Sequence, residues 1–524
     1  MSLDRRNTAS STRALGLACG CVALATATMV VSADEIGYAD LIARLGVDNI
    51  PIGAAVRVAQ VEALSGTAYG PAVGDAEFAG VAFVEMSGAA GNSGHATTVA
   101  KNFYGSTLSV APGIAQVHLY EANAFIQSGY LRVGSGSALL PLVAPTGVKV
   151  FNNSWIGSTG QTVYDNDALR RGDFAMNRDG TLFCNGENNG TGSPMQPMMS
   201  EGYHGLAVGR LDGQHSAGVT PATRDGGGRM KPEIVAPGSA TSYSTPLVAS
   251  CAALLFDVAL TDPDLVGNVD ARRPAVIKAA LLAGARHRDG WTNNPSTSGA
   301  TRGQTSTPLD PVYGVDVVNI DRAHLILTGG EVNAMTTVPA VATTEGPAWG
   351  FPVSTNSTNY FRFHVDEVAD EVSIAATWHR IVPTTLGVPS VANYDLFLHG
   401  VSGTTIVPLA GDAGTSFFAS GNVVSQSAVD NVEHLHVRGL QPGDYVIELR
   451  KQGSTSSPAV AISWLIPAYS APALPGDTNG DGRVDGVDLA AVLSAWGLAV
   501  PAADFDQNGI VDGADLAAVL GNWT

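Results

Sequence analysis

The chain has 524 residues, 45% of them hydrophobic, which is too long for one core and apolar enough to fill several, so disorder throughout is excluded and two to four domains are expected. Its 28 basic residues against 47 acidic ones give a formal charge of -19. No Lys/Arg-rich block is present to neutralise a phosphate backbone, which argues against a nucleic-acid partner.

In chain order, residues 1–33 put Arg5, Arg6 and Arg13 ahead of an apolar run that closes on Val31-Ser32-Ala33, the pattern of a cleaved signal peptide. A retained membrane anchor is the alternative, disfavoured because the run is short and rich in Ala and Gly. Cys184 and Cys251 lie inside apolar runs, which predicts two buried free thiols rather than a disulfide. Over 34–330, short β-rich runs (56–62, 148–151, 182–184) alternate with helical patterns (246–260, 274–285), so the segment predicts an α/β domain with a parallel sheet and helices on both faces. The helical run after Ser242 is apolar nearly all round, which predicts a helix at the domain's centre with Pro246 in its first turn. Beyond Gly330 the runs turn Thr-, Val- and Ser-rich with period two, as in 360–365 and 445–449, and predict a β-sandwich over 331–466. A Pro/Ala linker at 467–475 leads to a tail, 476–524, that contains an internal repeat.

Four segments carry chemistry. Lys231-Pro232-Glu233-Ile234-Val235-Ala236-Pro237-Gly238 leads to Thr241-Ser242-Tyr243-Ser244-Thr245-Pro246, which sets a serine beside the dipole and free N–H groups of a helix start. Asn92-Ser93-Gly94-His95-Ala96-Thr97-Thr98-Val99-Ala100 centres on a histidine, the side chain suited to general-base work near neutral pH. An apolar strand over 56–62 ends in Glu62, and a buried strand leads into Asn185-Gly186-Glu187-Asn188-Asn189-Gly190.

Together these segments resemble the subtilase family of serine peptidases, and the resemblance covers nearly all of 34–330. It implies Ser242 as nucleophile, with Ala240 where the family has Gly; a different register would choose Ser239 or Ser244, and a plain helix N-cap is the bland alternative. It implies His95 as base and Glu62 as the acid that orients it, where the family has Asp; Asp75 or Glu85 are the substitutes. Matching the family's Asn-x-Gly selects Asn188 as oxyanion donor beside the Ser242 N–H, with Asn185 as fallback. Asn152-Asn153-Ser154-Trp155-Ile156-Gly157 resembles the strand that pairs with extended substrate, which implies contacts from Ser154, Trp155 and Gly157; an ordinary edge strand is equally compatible. Few residues separate Ala33 from the first strand, too few for the family's folded prosegment. The expected function is a secreted endopeptidase working through an acyl-enzyme, and the alternative is an inactive scaffold acting as a calcium-dependent binding or surface-assembly protein.

Residues 331–466 resemble the pre-peptidase C-terminal type of β-sandwich. The tail holds two EF-hand-like loops whose oxygen donors recur at alternating positions, with a glycine at the turn, as a hard cation requires. The first offers Asp477, Asn479, Asp481, the Arg483 carbonyl, Asp485 and Asp488; the second offers Asp504, Asp506, Asn508, the Ile510 carbonyl, Asp512 and Asp515. With Asp at position 12 and no entering helix, the pair resembles a type I dockerin, a small α-helical domain. This implies two Ca2+ sites and a possible cohesin-like or cell-surface partner. Carboxylates crowded so closely repel, so the tail is expected to fold only with calcium.

Overall fold

The computed structural model describes residues 35–352, 358–412, 417–468, 476, 478, 484–506 and 508–523. The leader expected over 1–33 lies outside them. These residues form two compact units, divided between Pro467 and Ala468.

The first unit begins with helix α1 (Tyr38–Leu45) and a seven-stranded parallel sheet. Its strands are β1 (Arg57–Glu62), β2 (Ala82–Glu85), β3 (Gln116–Glu121), β4 (Val148–Asn153), β5 (Leu182–Gly186), β6 (Leu206–Arg210) and, after a short hairpin of β7 (Gly218–Val219) and β8 (Met230–Lys231), β9 (Ile234–Ala236). The spatial order is β2-β3-β1-β4-β5-β6-β9, with every pairing parallel. Helices α2 (Gly94–Tyr104), α3 (Thr162–Asp179), α4 (Thr241–Thr261), α5 (Pro274–Ala283) and α6 (Ile320–Thr328) cover it. Because helices lie on both faces, the strands are buried on both and lose the in-out alternation of a half-exposed sheet; β1 is exposed only at Arg57.

Among the described residues, α4 is the one helix long and apolar enough to cross a membrane, and its side chains are almost all buried in the domain core. The helix starts at Thr241, earlier than its apolar pattern suggests, so Pro246 falls in its second turn rather than its first. Cys184 and Cys251 are buried free thiols.

Residue 330 marks a change of architecture without a break in packing. Two further sheets follow, one of them taking β10 (Gln304–Thr305) from before residue 330, and otherwise built from β11 (Ala348–Gly350), β12 (Thr358–Val365), β13 (Val372–Trp378), β14 (Asn393–Ser402), β15 (Thr405–Pro408), β16 (Ser420–Gly421), β17 (Val424–Ser425), β18 (Val432–Arg438), β19 (Gly443–Gln452) and β20 (Val460–Leu465). One sheet runs β10-β17-β14-β19-β12 with β15 beside β14, the other β11-β20-β13-β18-β16, and Phe361, Trp378, Leu398, Ile447 and Trp464 belong to the core they share. The second sheet turns its other face to α5, where Ala375 and Ala461 join the core of the α/β part. Every residue of β13 is therefore buried.

Polar pairs also join the two parts. Arg380 Nε donates to Asp173 Oδ2 (2.6 Å), Met230 N to Asp430 Oδ1 (2.8 Å) and Asn431 Nδ2 to the Tyr203 carbonyl (2.9 Å). Two histidine stacks cross the same boundary, His204 on His379 at 3.9 Å between ring centroids and His287 on His436 at 3.8 Å. His287, Glu371 and His436 bring possible metal-ligand atoms within 4.8 Å of one another. The two rings lie nearly parallel, 14° apart, so their in-plane lone pairs run side by side instead of converging on one ion. The cluster is an ionic and stacking contact, with Arg322 Nη1 on the far carboxylate oxygen of Glu371 at 2.9 Å.

The second unit contains α7 (Gly486–Ser494) and α8 (Gly513–Gly521), joined over a small core of Val484, Val492, Ala503, Val511 and Val519. Each helix opens with a reciprocal capping box, Asp485 with Asp488 and Asp512 with Asp515.

Candidate active site

Two helix starts meet at the C-terminal edge of the sheet, where ligands of open α/β sheets bind. Ser93 caps α2 through its Oγ, which accepts from Ala96 N at 3.3 Å and sets His95 in the first turn. Ser242 occupies the same place in α4, and the two helices pack together so that the His95 and Tyr243 rings lie 5.8 Å apart.

Strand β1 delivers Glu62, which is 1% exposed, to the histidine: His95 Nδ1 donates to Glu62 Oε2 at 2.8 Å. Burial pushes the Glu62 carboxyl above its ordinary value, against the pull of its bonds to His95 and Gln60. The bond to Glu62 in turn holds the His95 imidazole above its usual pKa, outweighing partial burial. With Nδ1 committed to the carboxylate, Nε2 is the nitrogen left to accept a proton.

The turn that carries Ser242 is clamped from two sides. Pro246 has no N–H to give the carbonyl four residues earlier, which belongs to Ser242. Ser154 Oγ takes that carbonyl instead at 2.9 Å, and Ser242 Oγ donates to the Ser154 carbonyl at 3.3 Å. Among the described residues, no hydrogen bond joins Ser242 Oγ to His95. On the other side, Thr241 Oγ1 donates to the Glu187 carbonyl (2.6 Å) and Thr241 N to Asn189 Oδ1 (2.9 Å). Gly238 permits the close fold behind the turn, since a Cβ there would lie 2.6 Å from Ser244 Oγ and 2.9 Å from its backbone nitrogen.

The loop after β5 does not bring Asn188 to the serine. Its Nδ2 donates to the Pro194 carbonyl at 3.1 Å, out on the exposed loop. Asn185 is buried under the sheet edge, accepting from Asn153 Nδ2 at 2.9 Å. Asn189 is the amide that reaches the turn carrying Ser242. Because a backbone N–H can only donate, the atom facing Thr241 N must be the oxygen, which leaves Asn189 Nδ2 without a protein partner among the described residues. The Asn-x-Gly spacing points to Asn188, one residue early; the bond to Thr241 marks Asn189 instead. Glu187 turns inward to accept from Ser216 Oγ at 2.8 Å, and burial pushes its carboxyl up to about 7.

Beside this centre, Trp155 and Gly157 line a cleft of about 650 Å³ with Ile126, Val133, Tyr164 and Met198. The Gly157 carbonyl is occupied by Met198 N at 3.1 Å, so this part of the segment is already paired.

In the second unit, Asp477, Asn479, Asp481 and Arg483 lie outside the described residues. The second loop brings carboxylate oxygens of Asp504, Asp506 and Asp515 within 4.8 Å of one another. Asp504 Oδ1 and Asp506 Oδ1 also accept from Asn508 N at 3.1 Å, while Ile510 N donates to Asn508 Oδ1 at 3.0 Å. Asp485 and Asp512 spend a side-chain oxygen on helix caps, bonding Val487 N and Ala514 N. Asp488 and Asp515 are buried, and backbone N–H bonds from Asp485 and Asp512 hold their carboxyls below the ordinary range. A hard, all-oxygen donor set of this kind fits Ca2+.

Compared with known proteins, residues 84–300 match the model of the Subtilase family. No curated protein matches the chain. Among solved structures, the prenylagaramide maturation protease PagA is 18% identical with a TM-score of 0.34, over 53% of this chain and 94% of that one. A cold-adapted subtilisin-like serine proteinase is also 18% identical, with a TM-score of 0.27 over 41% of this chain and 79% of that one. The segment similar to the Subtilase family thus contains His95, Asn189 and Ser242, while Glu62 precedes it.

Proposed function

We propose that the chain is an exported serine endopeptidase whose α/β part hydrolyses peptide bonds through an acyl-enzyme. The observation that carries this reading is the contact of buried Glu62 with partly exposed His95, 2.8 Å apart, His95 standing on a helix start packed against the one that bears Ser242. Ser242 Oγ leaves the Ser154 carbonyl, passes its proton to His95 Nε2 and bonds to the scissile carbonyl carbon. The oxygen of the tetrahedral intermediate accepts from Ser242 N–H and Asn189 Nδ2, and the leaving amine takes the proton back from His95. Water, deprotonated by the same imidazole, then releases the acyl group. The freed Ser154 carbonyl is available to an extended substrate backbone, and the cleft beside Trp155, lined by polar Asn123, Gln127, Ser158 and Thr159 as well as by Ile126 and Met198, has room for a substrate side chain.

Export through the leader over 1–33 and calcium binding by the tail belong to the same proposal. Bound Ca2+ supplies charge neutralisation, and Asp504, Asp506, Asn508, the Ile510 carbonyl and Asp515 would hold it in the second loop, with Asp512 acting through water. A dockerin-like tail would dock a cohesin-like or cell-surface partner.

The second reading, an inactive scaffold, is favoured by one observation, the bond of Ser242 Oγ to Ser154 in place of His95. A fluorophosphonate probe separates the two. Labelling at Ser242 that disappears in His95→Ala, together with cleavage of an unfolded protein substrate, supports the peptidase; a folded wild type that neither labels nor cleaves supports the scaffold.

A further inference from the structure

Glu62 touches more than His95. It sits on the same face of β1 as Gln60, two residues earlier, and both are 1% exposed. Gln60 Nε2 donates to Glu62 Oε1 at 2.9 Å and to the Ala96 carbonyl at 2.9 Å, which uses both of its hydrogens. Gln60 Oε1 accepts from Tyr104 OH at 2.5 Å. The carboxylate and the carbonyl are acceptors only, so they settle which end of the amide faces them. Tyr104 is fully buried, and desolvation together with the nearby Glu62 charge raises its pKa well above the usual value, so it stays a donor.

Ala96 and Tyr104 lie at opposite ends of α2, the helix that carries His95. Gln60 therefore ties the strand bearing the acid to the helix bearing the base. Among the described residues, the Glu62 carboxylate has two side-chain partners, His95 on one oxygen and Gln60 on the other. A glutamate has one more torsion to fix than an aspartate would, and a buried carboxylate with one bare oxygen is costly to keep ionised.

We propose that Gln60, held by Tyr104, is a positioning residue that orients Glu62 toward His95 and keeps its carboxylate ionised. The proposal rests on the reading of His95 as general base. Removing a donor to the anion raises the proton affinity of the Glu62–His95 pair, so the pH below which the pair is protonated moves up.

The test uses the full-length protein and three variants, Gln60→Leu, Tyr104→Phe and the double variant, with kcat/KM for a peptide substrate measured across pH. Gln60→Leu is expected to lower kcat about 10- to 100-fold with KM within about twofold. Its acid limb is expected to move up by about one pH unit, the scale of a hydrogen bond to a charged group. Tyr104→Phe shifts both in the same direction by less, and the double variant is no worse than Gln60→Leu, because both act through one chain of bonds. An unmoved acid limb in Gln60→Leu overturns the proposal, whether or not thermal stability falls. Titration of His95 by NMR in the same proteins separates the two claims. An inactive wild type whose His95 pKa still moves in Gln60→Leu defeats the peptidase reading and supports the positioning role; an unmoved His95 pKa defeats the positioning role.

Discussion

In the proposed mechanism His95 must be neutral before Ser242 can lose its proton, and the bond from Glu62 favours the charged imidazole. Activity is therefore expected to fall as pH drops through a value above 6.5, the ordinary histidine pKa, and the acid limb of kcat/KM checks it. Glu62→Gln, which keeps the shape and removes the charge, should cost on the order of 10³-fold or more in kcat. At the oxyanion, Asn189→Ala is expected to lower kcat about a hundredfold or more with little change in melting temperature, while Asn188→Ala stays near wild type. The Glu62–His95 contact is legible from the chain because each residue sits inside its own local pattern. Asn189 is not, since the Asn-x-Gly spacing points to its neighbour Asn188 and only the bond from Thr241 N–H singles Asn189 out. Nor are Gln60 and Tyr104, whose roles arise only from the register of β1 against α2.

The helices make their contributions at their ends. Pro246 in the second turn of α4 frees the Ser242 carbonyl, and Ser154 Oγ binds it, so a proline that looks like a helix start serves instead to lock the turn at Ser242 to the residue that follows β4. Helix boundaries escape the apolar pattern here because the first turn, Thr241-Ser242-Tyr243, is polar for chemical reasons. In the tail, each helix begins where an acidic loop ends, and the carboxylates of Asp504, Asp506 and Asp515 repel one another unless a cation lies between them. Adding a calcium chelator to the whole protein is expected to speed amide exchange in 484–523 and leave 35–467 unchanged. Asp515→Asn should weaken the calcium protection of α8.

For the molecule as a whole, the boundary between the α/β part and the two later sheets is where pH should act. His204 is bonded on both nitrogens, to the Asp173 carbonyl and to Arg380 N, and the second of these bonds requires a bare nitrogen. Burial holds its pKa and those of His379 and His434 well below normal, and takes His287 down to about 3. An unfolded histidine binds a proton near 6.5, so the unfolded state holds more protons below that pH, and stability is lost as pH falls from 6.5 toward 3. Glu187, raised to about 7, has the opposite sign: its contribution is present below about 4.5 and lost as pH rises through 7. Melting temperature is therefore expected to drop most steeply below about pH 4.5, and His204→Gln should blunt the drop. The sequence pattern places a change of residue alternation at 330, but alternation cannot report that β13 and β20 are buried against the α/β part, with which they form one compact unit. That contact has a practical outcome. A shortened gene stopping at 330 would leave the greasy flank of α5 bare, so the smaller protein it encodes should accumulate in inclusion bodies, measurable as the soluble fraction beside the longer product.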